Sequence, residues 1–283
     1  MNRVLSFCFF MFLFVGLFSY AQDDLLDELD EEVVDEGTVS STFKALQIVT
    51  LQSTKIAAPG DFYFVVSHRF GTVKNGFSEF FGLDNATTKL GGIYGVTDWM
   101  SVGLSRHTLL KTYELSIKYR LVNQSDNFPF TIVGYHSMGA NSYIDKDDYE
   151  NLAFTDRLAY VNQLLISRKI SAALSLELAP SYVQKNLYNK DLENDKQFVL
   201  AAGSRYKLSN RVSLNLEYGY NFNQPEFYSQ PLSLGVDIET GGHVFQLLFT
   251  NSQAMTDSGY LTNATGDWGQ GDFFFGFNLY RVF

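Results

Sequence analysis

The chain has 283 residues, of which 46% are hydrophobic, 16% aromatic and only 18% charged, with a single cysteine. This composition excludes a disordered chain and a disulfide framework. A net charge of -10 speaks against a nucleic-acid partner, because phosphate-neutralising surfaces need clustered Lys and Arg.

Residues 1–21 read as a secretory signal peptide. Arg3 is the positive start, Val4 to Phe18 is an almost unbroken apolar run, and Ser19-Tyr20-Ala21 sets small residues around a cleavage site near Ala21. A membrane anchor is the alternative, but the run is shorter than the roughly 20 residues a spanning helix needs. Cys8 lies inside this run, so the mature chain has no thiol. Residues 22–42 form an acidic periplasmic leader, with nine carboxylates and no base between Asp23 and Glu36. Leu25, Leu26, Leu29 and Val33 fall at helical spacing, so the leader is either a solvated tail or a docking segment for a basic periplasmic partner. Phe43 to Leu51 is read as a further strand or a plug, and the pattern leaves both open.

From Asp61 onward the period is two. In Lys111 to Leu121, Tyr113, Leu115, Ile117, Tyr119 and Leu121 alternate with Thr112, Glu114, Ser116, Lys118 and Arg120. Arg211 to Phe222 repeats this with Val212, Leu214, Leu216, Tyr218, Tyr220 and Phe222 in one phase. A strand sorts such residues onto two faces, whereas a helix would scatter them. Twelve such segments are expected, near 61–70, 87–97, 99–107, 111–121, 128–138, 157–168, 171–184, 196–208, 211–222, 231–239, 243–251 and 272–283. Most odd links are long and the even ones short, which is the asymmetry of extracellular loops and periplasmic turns. The expected fold is therefore all-β: residues 43–283 as one transmembrane up-and-down antiparallel β-barrel of about twelve strands, in the outer membrane of a Gram-negative bacterium. A soluble β-sandwich is the alternative fold. Pro180 falls inside the seventh segment, where a bulge or a strand continuing above the membrane is expected. The last segment alternates Phe273, Phe275, Phe277 and Leu279 and ends on Phe283, which resembles the assembly signal by which the barrel-assembly machinery recognises its clients. Arg281 departs from that pattern, and its guanidinium can snorkel to the headgroups.

The stretch Pro59-Gly60-Asp61-x-x-Phe64-x-x-x-His68-Arg69-Phe70-Gly71, followed by Phe81-Gly82-Leu83-Asp84 and Gly95-Val96-Thr97-Asp98, resembles a family of outer-membrane β-barrel proteins of Bacteroidota-type bacteria whose domain has no assigned function. The Gln22 to Leu26 start and Lys118-Tyr119-Arg120-Leu121 are also similar. The resemblance implies the fold and outer-membrane lipid as a partner. It implies no activity.

With the apolar phase on lipid, the opposite phase puts Asp61, Arg69, Lys89, Glu114, Lys118, Arg120, Glu177, Arg205, Lys207, Glu217, Asp237 and Glu239 in the lumen or at its rims. These six acids and six bases suit either cross-lumen ion pairing that rigidifies the barrel or a polar permeation path. Twelve strands lie between the filled eight-stranded and the open sixteen-stranded cases, so the side chains decide. The leading function is a narrow channel or transporter for small polar solutes. The alternative is a non-conducting structural or docking barrel.

Chemistry is sparsely encoded. His68, His107, His136 and His243 have no metal-ligand neighbours in sequence. Ser105 and His107 share one strand face, the minimum for a Ser–His hydrolase, without an identifiable third group. Asp145-Lys146-Asp147-Asp148 lacks the Gly and distal Glu of a calcium loop. No enzyme activity and no cofactor are expected.

Overall fold

The computed structural model describes residues 42–144 and 152–283; the signal-peptide and acidic-leader readings and the Asp145 to Asp148 loop lie outside them. Twelve antiparallel strands close into one barrel. They are β1 (Phe62–Thr72), β2 (Ala86–Thr97), β3 (Met100–His107), β4 (Thr112–Val122), β5 (Thr131–Asn141), β6 (Leu158–Lys169), β7 (Leu174–Lys185), β8 (Lys196–Lys207), β9 (Val212–Asn221), β10 (Leu232–Thr240), β11 (His243–Thr250) and β12 (Phe274–Val282). Each strand pairs with its neighbours in sequence, and β1 pairs with β12 to close the ring from Tyr63↔Val282 to Thr72↔Phe274. Closure leaves no unpaired edge, which is what the bilayer demands of a sheet.

Alternation explains why each strand settles in one register. Leu214, Leu216, Tyr218 and Tyr220 of β9 are exposed on the outside, while Ser213, Asn215, Glu217 and Asn221 are buried within. A slip of one residue would turn that whole set over. The bulges lie at Arg69/Thr72, Gly95/Thr97 and Arg120/Val122. The bulge expected at Pro180 does not form. Strand β7 keeps one register against β6 on both sides of it, from Gln163↔Ser181 to Ile166↔Leu178, and merely loses the rungs between them. Proline cannot donate to the ladder, and here the two strands run on past the gap.

Two segments outside the strands fill the barrel. Residues 43–57 enter as a hairpin, with a Gln47↔Gln52 bridge and Ile48 donating to the Leu51 carbonyl at 2.8 Å. Its feet stand at the short-turn end, where Lys44 meets Glu239 at 3.2 Å and the Lys55 ammonium lies over the Tyr63 ring. From the opposite end, the β11–β12 loop folds inward through a short helix, α1 (Asp257–Thr262), N-capped by the Thr256 side chain. Leu51 and Ile56 of the hairpin and Tyr260 and Leu261 of α1 join Val133, Tyr135, Val161, Leu165, Ala179, Val183, Val199 and Ala201 of the wall in a single apolar core. The inner face is thus apolar along β5 to β8, where the hairpin and α1 cover it, and again at Val65 of β1 and Tyr280 of β12, which pack on Leu46 of the hairpin; polar side chains are interspersed elsewhere.

Candidate functional site

Eight of the twelve charged positions are buried inside the barrel: Arg69, Lys89, Glu114, Lys118, Glu177, Arg205, Glu217 and Asp237. Asp61, Arg120, Lys207 and Glu239 stand partly exposed towards the short-turn rim. Cross-lumen pairing is not their main occupation. Among the described residues, Arg205 and Glu239, at 3.4 Å, are the two of the twelve that pair with each other.

Three of the others, Glu217, Lys118 and Glu177, hold the hairpin by its backbone, and Arg69 holds it by a side chain. Its tip turns the N–H groups of Val49, Thr50 and Leu51 towards one point, and the Glu217 carboxylate occupies that point, accepting all three at 2.9 to 3.0 Å. A concave run of successive amides is an anion cradle, here filled by a wall side chain. Charge-assisted bonds of this kind are about twice as strong as neutral ones. Lys118 donates to the carbonyls of Leu46, Ser53 and Lys55. Glu177 accepts from the Thr54 N–H, and Arg69 donates to the Thr50 hydroxyl at 3.1 Å. Gln246 and Asn278, opposite each other in β11 and β12, donate to the carbonyls of Ile48 and Val49. The wall approaches so closely that a Cβ on Gly203 would stand 2.2 Å from Ile48 Cδ1, and one on Gly235 3.0 Å from Val49 Cγ2.

The α1 end is tied to the same hairpin. Asp257 accepts from Gln52 at 3.0 Å and from the Tyr135 hydroxyl, and its own N–H donates to Glu114. Burial first, and the facing Glu114 carboxylate second, push the Asp257 carboxyl above its ordinary range. Gln47, Gln52, Gln246, Asn278 and Asp257 were not singled out from sequence. The one available signal was a neutral polar residue in the inward phase of an aromatic strand, as at Asn278 between Phe277 and Leu279.

The signature residues divide by face. His68 points outward and stacks on Phe277 at 4.8 Å, Phe70 stacks on Phe275, and Arg69 between them points in. Gly71 lies against Gly82. At the other end Gly60 donates to the Gly95 carbonyl, and a Cβ on Gly95 would fall 1.9 Å from the Ala58 carbonyl, so the hairpin's exit turn needs glycine there. Phe283 and Phe62 exchange backbone hydrogen bonds across the β1–β12 seam, and Arg281 lies 4.5 Å over the Phe283 ring.

Ser105 and His107 do meet, Oγ to Nε2 at 2.9 Å, but Glu114 approaches the same nitrogen at 3.5 Å and His107 Nδ1 is buried without a partner. A relay needs the acid on the other nitrogen, so this trio lacks the geometry of a hydrolase. Among the described residues no group of three His, Cys, Asp or Glu side chains is placed to hold a metal ion.

Residues 43–283 match the membrane bound beta barrel domain family, DUF5777. The chain belongs to that family. Among solved structures, this membrane bound barrel is similar to the NanC porin, with a TM-score of 0.53 at 10% identity over 78% of this chain and 98% of that one. It also aligns with the KdgM porin (TM-score 0.47, 10% identity, 79% and 99% covered) and with Omp33 of Acinetobacter baumannii (0.41, 8%, 79% and 98%). At this identity the likeness to NanC is one of fold. No curated protein matches the chain in sequence.

Proposed function

We propose that the protein is an outer-membrane channel for small polar solutes whose lumen the hairpin 43–57 holds shut in the state described here. One observation carries this reading: three buried charged groups of the wall, Glu217, Lys118 and Glu177, grip the hairpin backbone instead of pairing with one another. The hairpin's covalent link to the strands is the single one at Pro59-Gly60, so once the side-chain bonds are released it leaves as a unit. What remains beside α1 is a path lined by Glu217, Lys118, Glu177 and Arg69, near-balanced in charge and so weakly selective between anions and cations.

Residues 1–21 support export by a signal peptide cleaved near Ala21, and the signature supports a Bacteroidota-type source. The short turns then face the periplasm, and the nine carboxylates of the acidic leader 22–42 support docking to a basic partner there. Phe283 at the seam supports recognition by the barrel-assembly machinery.

Planar-bilayer recording tests the proposal. The full protein is expected to stay closed, and the chain lacking residues 43–57 to give discrete current steps. Silence from both would favour the non-conducting barrel, which the internal apolar core also suits.

A further inference from the structure

The outer face carries a site of its own, independent of whether the barrel conducts. Along β8 the outward phase is large at Leu200 and Tyr206 but small between them, at Ala202 and Ser204. Both small residues sit between large ones on the neighbouring strands. One rung runs Leu178↔Ala202↔Tyr218 and the next Leu176↔Ser204↔Leu216. The result is an apolar trough of about 520 Å³ on the membrane-facing wall, with the Gly203 backbone in its floor. This is the size of a small-molecule pocket, and ordinary lipid-facing wall has no reason to be hollowed.

At the short-turn end the trough is bordered by Phe130, Ile170 and Arg168. Arg168 lies on the Leu176–Ser204 rung, two strands from Ser204, which puts it roughly 10 Å away. It points outward one residue before the end of β6, and the strand ends of a membrane barrel lie near the headgroup boundary. Among the described residues its one partner is the Phe130 ring, 5.9 Å away, and no carboxylate pairs with it. A guanidinium facing lipid without a counter-charge is costly at depth and favourable where phosphate supplies the charge.

We propose that this trough holds one glycerophospholipid of the leaflet at the short-turn end. Its phosphodiester lies on Arg168 and one acyl chain lies along Ala202 and Ser204. Charge complementarity favours this occupant over a second copy of the barrel. The trough has one cationic end and apolar walls, which is the outline of a phospholipid, whereas the outward phases of the twelve described strands carry no Asp or Glu to meet Arg168.

The test is native mass spectrometry of the delipidated full chain in detergent. The probes are palmitoyl-oleoyl phosphatidylglycerol, the diacylglycerol with the same chains, and inorganic phosphate. The expected result is one phosphatidylglycerol per barrel, held about tenfold or more tighter than either other probe, since a charge-assisted bond adds to chain burial. Arg168→Gln is expected to weaken phosphatidylglycerol by about that factor and leave diacylglycerol unchanged. Ala202→Leu with Ser204→Leu, which fills the trough with a residue this strand already turns outward, is expected to remove the bound lipid while unboiled gel mobility stays that of a closed barrel. Equal retention of phosphatidylglycerol by wild type and Arg168→Gln would mean ordinary surrounding lipid only and would overturn the proposal. So would a dimer that the double variant dissociates with no lipid retained. If the double variant does not assemble, the Arg168→Gln comparison decides alone.

Discussion

Glu217 is the residue on which the closed lumen turns. Three buried amides depend on its carboxylate, and leaving buried donors unpaired costs on the order of 1–3 kcal/mol each before the hairpin relaxes. Glu217→Ala is therefore expected to weaken hairpin docking by about 3 kcal/mol, roughly a hundredfold in the equilibrium, and to convert a silent barrel into one that flickers open in bilayer recordings. Current traces indistinguishable from wild type would remove Glu217 from this role. Gly95 is the second position where one atom matters. A valine side chain there would drive the hairpin's exit turn off the wall, at about 3 kcal/mol or more, and Gly95→Val is expected to lower the temperature at which the folded gel band is lost. An unchanged melting temperature would count against the tight turn at Pro59-Gly60.

At the scale of elements, the strands were readable because alternation is a period the bilayer enforces on every segment, as in β4 and β9. The hairpin was not, because nine apolar and polar residues from Phe43 to Leu51 fit either a strand or a plug until something is known to bind their amides. Helix α1 is six residues long, shorter than any period can reveal. Val133, Tyr135, Val161 and Leu165 blur the phase of β5 and β6, since they are apolar residues in the inward phase, covered by the hairpin and α1. The docking of α1 makes a prediction of its own. Asp257 has its carboxyl held above the ordinary value in the docked state, so docking takes up a proton. Docking is therefore strongest below the free carboxyl's pKa of about 4 and weakens as pH rises through the docked value. Hydrogen exchange of residues 257–262 is expected to be faster at pH 8 than at pH 5 after correction for intrinsic rates. Asp257→Asn is expected to flatten that difference; a difference that survives in the variant would assign it to another group.

For the whole molecule, twelve strands enclose more room than wall side chains can fill, and the chain supplies the remainder from its own ends: a hairpin from one mouth and a loop helix from the other. The sequence carried the barrel and its inward charges, but not what those charges hold. Their partners are backbone groups of segments with no regular pattern, and nothing in residue spacing announces a backbone partner. The membrane-bound barrel fold and the channel reading thus stand on different footings, the first on strand pairing and family, the second on whether the hairpin moves.

That movement can be tested with a reversible lock. The chain's single cysteine, Cys8, lies in the leading apolar run, so Val49→Cys with Gly235→Cys introduces one pair, at positions where a Cβ on Gly235 would stand 3.0 Å from Val49 Cγ2. Placed on the Glu217→Ala background and recorded in a planar bilayer, the oxidised barrel is expected to be silent and to begin stepping when a reductant is added. Current through the oxidised, cross-linked barrel at the level of the reduced one would contradict the account.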